Sequence, residues 1–409
     1  MKKEIKNLKK AAEKIKKAIK KKERIILYGD ADLDGVSSVI VLKECIMNLG
    51  GSVTAVYFPD RETEGYGINK DALNYLKKYV EVYPPKSRLA GRRRALFIAM
   101  DCGIGNFKEI KLAKKLGFEV IVVDHHQVLK KLPQASIIVN PKQKGDKYSF
   151  KEFAAAGVVF KLAEALLARK MSASLKNNFL ELVALATIAD MMPQKDDNLE
   201  FLNYGLASLK NTFRPGLKVF WLDPTYDGKT AREMAQKIIS ACHAGGTKDH
   251  LNEAYILLTS TLEIEAQNLA RELIEKSYLR QMRIKEITQE IEERIIKKSK
   301  DLIIFEGDQS WPVLMAGPAA SKICNAYKKP VFLYSEKEKD SQGAVRTPPG
   351  VDSVKAMNRC SQFLDTYGGH PLAAGFLVRN KNLEKFQNRL RLAVMPPLVQ
   401  SRKNFYNFF

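Results

Sequence analysis

IILYGDADLDG, residues 25–35, carries an apolar run into three aspartates and a glycine. Residues 25–28 have the composition of a short buried strand, and Gly35 opens the helical pattern of residues 36–48. Asp30, Asp32 and Asp34 therefore stand where a strand gives way to a helix. In open α/β sheets ligands bind beyond the carboxyl ends of the strands. Three carboxylates so close together repel one another unless a cation neutralises them. A solvated Asp-rich turn is the plainer alternative, because such turns are common.

The same arrangement recurs downstream. Short β-branched runs at 52–58, 95–100, 120–123 and 137–139 alternate with helical patterns at 70–78 and 106–116, the signature of βαβ units and a parallel sheet flanked by helices. Asp101 follows the run ALFIAM, and Asp124, His125 and His126 follow VIVV. Three strands thus deliver acidic or imidazole groups to one edge. The chain has five histidines, two of them side by side here. A lone histidine is usually structural, but Asp-His-His after a buried strand and facing two acidic clusters points to metal ligation. Asp190 closes the apolar helical stretch ALATIAD and, taken alone, would merely start the next turn.

Helical patterns dominate 150–209, with Ala-rich or apolar runs at 153–168 and 178–191, and 214–229 reads as a loop from its Pro, Gly and Asp-Pro signals. A charged helical pattern then runs from 261 to 300 without Gly or Pro, long enough to space two domains. Beyond it, strand patterns at 302–305, 313–315, 331–334, 343–346 and 372–378 predict a smaller α/β domain ending near Leu392. The expected division is an N-terminal domain over 1–230, a connecting helical region over 231–300, a second domain over 301–395 and a tail over 396–409.

Composition narrows the function classes. No run approaches the length of a membrane span, and the N-terminus lacks a signal-peptide core. The five cysteines are scattered without a C-x-x-C pair, so neither a disulfide framework nor a thiolate zinc site is implied, and a cytoplasmic, reducing location is expected. The formal charge of +22 favours a polyanionic partner. Twelve basic residues and three acidic ones fall within the first 24 positions. Ile5, Leu8, Ala12, Ile15 and Ile19 recur there at helical spacing, so a docked amphipathic helix over residues 1–22 with a solvated Lys face is favoured over a nucleic-acid-binding arm.

Taken in order, D-x-D-x-D-G at 30–35, Asp101, Asp124-His125-His126 and Asp190 resemble the four motifs of the DHH phosphoesterases, a family named for the tripeptide. Each motif is weak and their order is specific. GAVRT at 343–347 and GGHPLAAGF at 368–376 resemble the DHH-associated domain. With DRETEGYG at 60–67 and the long helix, most of the chain is similar to the RecJ branch of the family, single-strand exonucleases that start at 5′ ends.

The resemblance implies two Mn2+ or Mg2+ ions ligated by Asp32, Asp34, Asp101, His125 and Asp190, with Asp101 bridging and Asp30 in or near the shell. It implies catalytic roles for Asp101, His125 and His126, the last touching the scissile phosphate. Arg61, Arg346, Thr347, Gly369 and His370 would hold the DNA terminus or adjacent phosphates. Carboxylate and imidazole donors suit such ions, and a guanidinium fork suits a phosphate. For Arg346 a surface salt bridge is an equal alternative, and for the glycines flanking His370 an ordinary turn.

Three features depart from the pattern. Tyr28 stands where some relatives carry a metal-binding histidine. HAGGT at 243–247 occupies the place of an N-A-x-G-R motif, with Thr247 replacing its arginine. Too few residues follow the second domain for the OB-fold of full-length relatives. The tail RKNFYNFF at 402–409 sets aromatics beside basic residues; packing on its own domain is favoured, with stacking on bases or docking on a replication or repair protein as alternatives. The expected function is 5′ degradation of single-stranded DNA, perhaps RNA, in repair, recombination or replication. The alternatives are a phosphodiesterase for short oligonucleotides, phosphorylated nucleotides or cyclic dinucleotides, and an inactive replication scaffold.

Overall fold

The computed structural model describes residues 4–82, 93–128, 131–222, 227–296 and 301–394, so the tail at 402–409 lies outside the described residues. The chain divides into two compact units, Met1–Ser277 and Tyr278–Phe409.

The first unit begins with α1 (Leu8–Lys20), β1 (Ile25–Gly29), α2 (Leu33–Asn48), β2 (Ala55–Tyr57), α3 (Lys70–Leu76) and β3 (Glu81–Val82). It continues through β4 (Arg93–Met100), α4 (Phe107–Lys115), β5 (Phe118–Val123), β6 (Ile137–Val139), α5 (Ala155–Leu167), α6 (Ala173–Ala189) and α7 (Asp196–Leu209). After these come α8 (Pro215–Lys218), α9 (Ala231–Cys242), the hairpin β7 (Thr247–Lys248) and β8 (Leu251–Asn252), α10 (Glu253–Thr259) and α11 (Glu263–Ile296), which runs on into the second unit.

Strands β2-β1-β4-β5-β6 form a parallel sheet in that order, with β3 antiparallel to β4. Side chains alternate between two cores. Ile25, Leu27, Leu96, Ile98, Ile121 and Val123 join α1, α2, α5 and α6 on one face, while Ile26, Tyr28, Phe97, Val120 and Val122 join α3 and α4 on the other. Both faces are buried, which explains the continuous apolar runs of the strands. Gly29 pairs with Met100 and Met100 with Val123, so Asp30, Asp101 and Asp124 leave the sheet at one level. The order reverses between β1 and β4, the kind of switch point at which such sheets open a crevice.

The second unit adds β9 (Ile304–Asp308), α12 (Val313–Tyr327), β10 (Val331–Glu336), β11 (Asp340–Arg346), α13 (Ser353–Asn358), β12 (Leu364–His370), β13 (Ala373–Arg379) and α14 (Leu383–Val394). Its sheet runs β12-β13-β11-β10-β9; β9 and β10 are parallel and the other pairings antiparallel. Ile284, Ile287, Ile291 and Ile295 of α11 pack with α12 on one face, and Met357, Phe386 and Leu390 pack on the other.

Three expectations require correction. The strand expected at 313–315 is the first turn of α12, whose buried Ala316, Ala319, Ala320, Ile323 and Cys324 keep helical spacing after the N-cap Pro312. The loop expected over 214–229 contains α8, and it opens on a buried Arg214 that grips both oxygens of Glu44 at 2.8 and 2.7 Å. The strand expected over 52–58 shrinks to three residues, because Phe58 N–H turns away to donate to His250 O.

Candidate metal centre

The β1–α2 junction is shaped by a glycine. A Cβ on Gly35 would lie 2.2 Å from Asp30 O, so only glycine lets the first turn of α2 close against the end of β1. Asp32 caps that helix, accepting from Gly35 N–H at 3.0 Å. Asp34 reaches across to the start of α5, where Ala155 and Ala156 donate their N–H groups to its two oxygens at 2.6 and 2.7 Å. Asp101 follows β4 in the left-handed region, φ +59°, with its N–H on Val123 O. Strain of this kind recurs at functional sites.

His125 and His126 are adjacent and do different things. His125 is fully buried, and its Nδ1 lies 2.7 Å from Phe153 O. A carbonyl only accepts, so Nδ1 carries a proton and Nε2 is the nitrogen that faces the acidic cluster. That Nε2 lies 3.1 Å from Asp101 Oδ1, 3.4 Å from Asp190 Oδ2 and 3.6 Å from Asp34 Oδ2. His126 is held by Asp124, whose Oδ1 accepts from His126 Nδ1 at 2.8 Å and from both histidine N–H groups, while its Oδ2 takes Ile104 N–H.

Among the described residues of the first unit, three groups of donor atoms each fit within 4.8 Å: Asp30, Asp32 and Asp101; Asp34, His125 and Asp190; and Asp101, Asp124 and His126. Asp101 belongs to the first and third and nearly touches the second through His125. Its Oδ1 is buried and meets no donor at hydrogen-bonding geometry among the described residues. Burial, then repulsion from Asp34 and its neighbours, raises the Asp101 pKa; burial followed by Asp34 and Asp32 does the same for Asp190. Asp34 is pushed up to about 8 by burial and then by Asp32, against the pull of its two backbone donors. Carboxylates this crowded favour their neutral forms unless a cation joins them.

Arg61 lies inside this cluster, its Nε 3.1 Å from Asp30 Oδ1 and one terminal nitrogen 2.5 Å from Asp30 Oδ2 and 2.9 Å from Asp32 Oδ2. For Asp32, burial is outweighed by Arg61 and the Gly35 N–H, so its pKa falls. Tyr28 does not join the donors. Its ring sits in the opposite core and its hydroxyl donates to Gly67 O at 2.8 Å. Thr247 lies beside the Arg61 loop, its hydroxyl donating to Pro59 O.

In the second unit, Arg346, Ala373 and His370 share one register row, so Arg346, Thr347, Gly369 and His370 gather at one end of that sheet. Gly369 has φ +134°, and a Cβ there would meet Ala373 O at 2.5 Å. Arg346 Nε donates to Ser321 Oγ, and the Thr347 hydroxyl lies 2.8 Å from Val351 O and 3.0 Å from Pro371 O. Two groups at the candidate centre escaped sequence reasoning. Tyr66 was legible only as part of DRETEGYG, and the Phe153 carbonyl has no side-chain signal at all.

Residues 24–187 match the DHH family, N-terminal domain, and residues 299–395 match the DHHA1 domain. The chain is 34% identical over 392 residues to the single-stranded-DNA-specific exonuclease RecJ of Bacillus subtilis, covering 95% of this chain and 48% of that one. The RecJ of Thermus thermophilus is 30% identical, over 94% of this chain and 54% of its own. The chain therefore spans about half the length of the curated relatives it matches. A crystal structure of exonuclease RecJ bound to manganese superposes over 97% of both chains, with a TM-score of 0.73 and 29% identity.

Proposed function

The chain belongs to the DHH phosphoesterase family, its N-terminal domain followed by a DHHA1 domain, and from that membership we propose that it hydrolyses single-stranded DNA from the 5′ end with two Mn2+ or Mg2+ ions. The observation that carries this reading is Asp101 Oδ1, a buried acceptor without a hydrogen-bond donor among the described residues, between two clusters of carboxylate and imidazole. That hard, mixed donor set fits Mn2+ and Mg2+. Asp30, Asp32, Asp34, Asp101, His125 and Asp190 would hold the ions, with Asp101 shared. Bound there, the ions activate a water and screen charge on the phosphate in transit.

The remaining work belongs to the protein. Phe153 O fixes the His125 tautomer, and the start of α5 holds Asp34, so these donors are preorganised. Asp124 turns His126 toward the scissile phosphate, while Arg61, bonded to Asp30 and Asp32, takes a neighbouring one. Arg346, Thr347, Gly369 and His370 hold the terminal nucleotide. A role in DNA repair or recombination follows from the same substrate. No described helix is long and apolar enough to cross a membrane. Five buried free cysteines suit a reducing, cytoplasmic setting.

The test uses end-labelled single strands of several lengths with Mn2+. The wild-type protein is expected to shorten long strands from the 5′ end, and Asp101→Ala to lose at least ~100-fold of that rate. Cleavage confined to dinucleotides would replace this reading with the short-substrate one. An Asp101→Ala variant as fast as wild type would refute the two-ion site.

A further inference from the structure

We propose that Tyr66 is the positioning residue of His126, its phenol holding the imidazole at the nitrogen opposite Asp124; this rests on the nuclease reading above. Tyr66 is 55% exposed, unusual for a residue whose polar end is engaged in the site. Its hydroxyl lies 3.0 Å from His126 Nε2, 3.5 Å from His126 Nδ1 and 3.3 Å from Asp101 O. The two rings meet edge to face, centroids 5.9 Å apart at 76°. Asp124 Oδ1 holds Nδ1 at 2.8 Å and the Tyr66 hydroxyl lies against the same ring, nearer Nε2, so the imidazole cannot turn about its Cβ–Cγ bond without breaking one contact.

The loop that carries Tyr66 is built to keep it there. Asp60 Oδ1 accepts from Glu62 and Thr63 N–H, and Glu64 reaches back to Asp60 N–H. The other Glu64 oxygen takes the Tyr57 hydroxyl at 2.7 Å and Asn69 Nδ2 at 3.1 Å. Gly65 and Gly67 flank Tyr66 at φ +78° and +80°, and the Tyr28 hydroxyl pins Gly67 O. Tyr28 thus anchors the loop that aims Tyr66. The ring also borders Arg61, whose guanidinium carbon is 5.8 Å from its centroid. A phenylalanine would preserve that packing, so the hydroxyl is the atom that matters. A group that sets the angle of another acts on the chemical step, and small misplacements at a reacting centre cost large factors.

The experiment compares Tyr66→Phe, His126→Ala and the double variant on single-stranded DNA with Mn2+. The nitrogen-15 resonances of the His126 ring are read in parallel, without substrate or metal. Tyr66→Phe is expected to lower kcat about 10-fold, to leave KM within about twofold, and to move the Nε2 resonance of His126 but not that of His125. Added to His126→Ala it should slow the enzyme no further, because the group it positions is already gone. Full activity in Tyr66→Phe, an effect on KM alone, or a loss that multiplies onto that of His126→Ala overturns the assignment. If the wild-type protein cuts no DNA, the nuclease reading fails by itself, and the resonance decides this contact: an unmoved Nε2 signal overturns it.

Discussion

Asp124 shows how much one buried carboxylate can organise. It accepts the backbone N–H groups of His125, His126 and Ile104 and the Nδ1 proton of His126, and these bonds outweigh its burial to hold its pKa low. It stands outside the two donor groups proposed to hold ions. Asp124→Asn keeps the volume but turns an NH2 toward a donor, leaving that donor unsatisfied. The expected cost is about 1–3 kcal/mol of stability and at least ~10-fold in kcat, with Mn2+ affinity kept. Calorimetric titration of Mn2+ checks this, and loss of binding would mean that Asp124 is itself a ligand. The run of Asp, His and His was legible; the division of labour within it was not. Which imidazole faces the acidic cluster depends on Phe153 O, 28 residues from His125. The resemblance sets Arg61 at a phosphate; that its guanidinium also meets Asp30 and Asp32 was not legible, because a charge pattern does not say which opposite charge lies nearest.

Among elements, the α6–α7 pair depends on the absence of a side chain. A Cβ on Gly205 of α7 would lie 2.1 Å from Leu180 O and 2.6 Å from Ala184 Cβ, both on α6. Neither a carbonyl in a helix nor a neighbouring methyl can retreat unless the helices part. Gly205→Ala is therefore expected to destabilise the protein by about 3 kcal/mol. Gly105→Ala, with open space around its Cβ, should change stability by less than ~0.5 kcal/mol. Urea unfolding separates the two, and equal midpoints would show that α7 shifts freely. Parallel strands buried on both faces were legible, because β1, β4 and β5 read as apolar runs bounded by acidic or glycine signals. Segment 313–315 was not, since Val-Leu-Met is too short for a period of two or of 3.6 to declare itself; the deciding residues lie downstream in the Ala316–Cys324 face. Strand β12 escaped because its Gly-Gly-His end resembles a turn, and only pairing with β13 extends it.

At the scale of the molecule, the charge of +22 is a poor map of function. Part of it serves the fold: α1 buries Leu8, Ala11, Ala12, Ile15 and Ala18, and Lys14 pairs with Glu119 at 2.6 Å, as expected of a docked helix rather than an arm. The acidic groups are more local. All six proposed ligands, Asp30 to Asp190, lie in the first unit, at the ends of β1, β4, β5 and α6 and at the start of α2. Ion binding should therefore stabilise the two units unequally. At a hundredfold excess over its Kd an ion contributes about 2.7 kcal/mol to whatever must open to release it. Amides of β1, β4 and β5 are then expected to exchange with solvent about 100-fold more slowly in Mn2+, while those of β10, β11 and β13 keep their metal-free rates. Hydrogen exchange read by mass spectrometry checks this. Equal slowing in both units would overturn the assignment of all six ligands to the first.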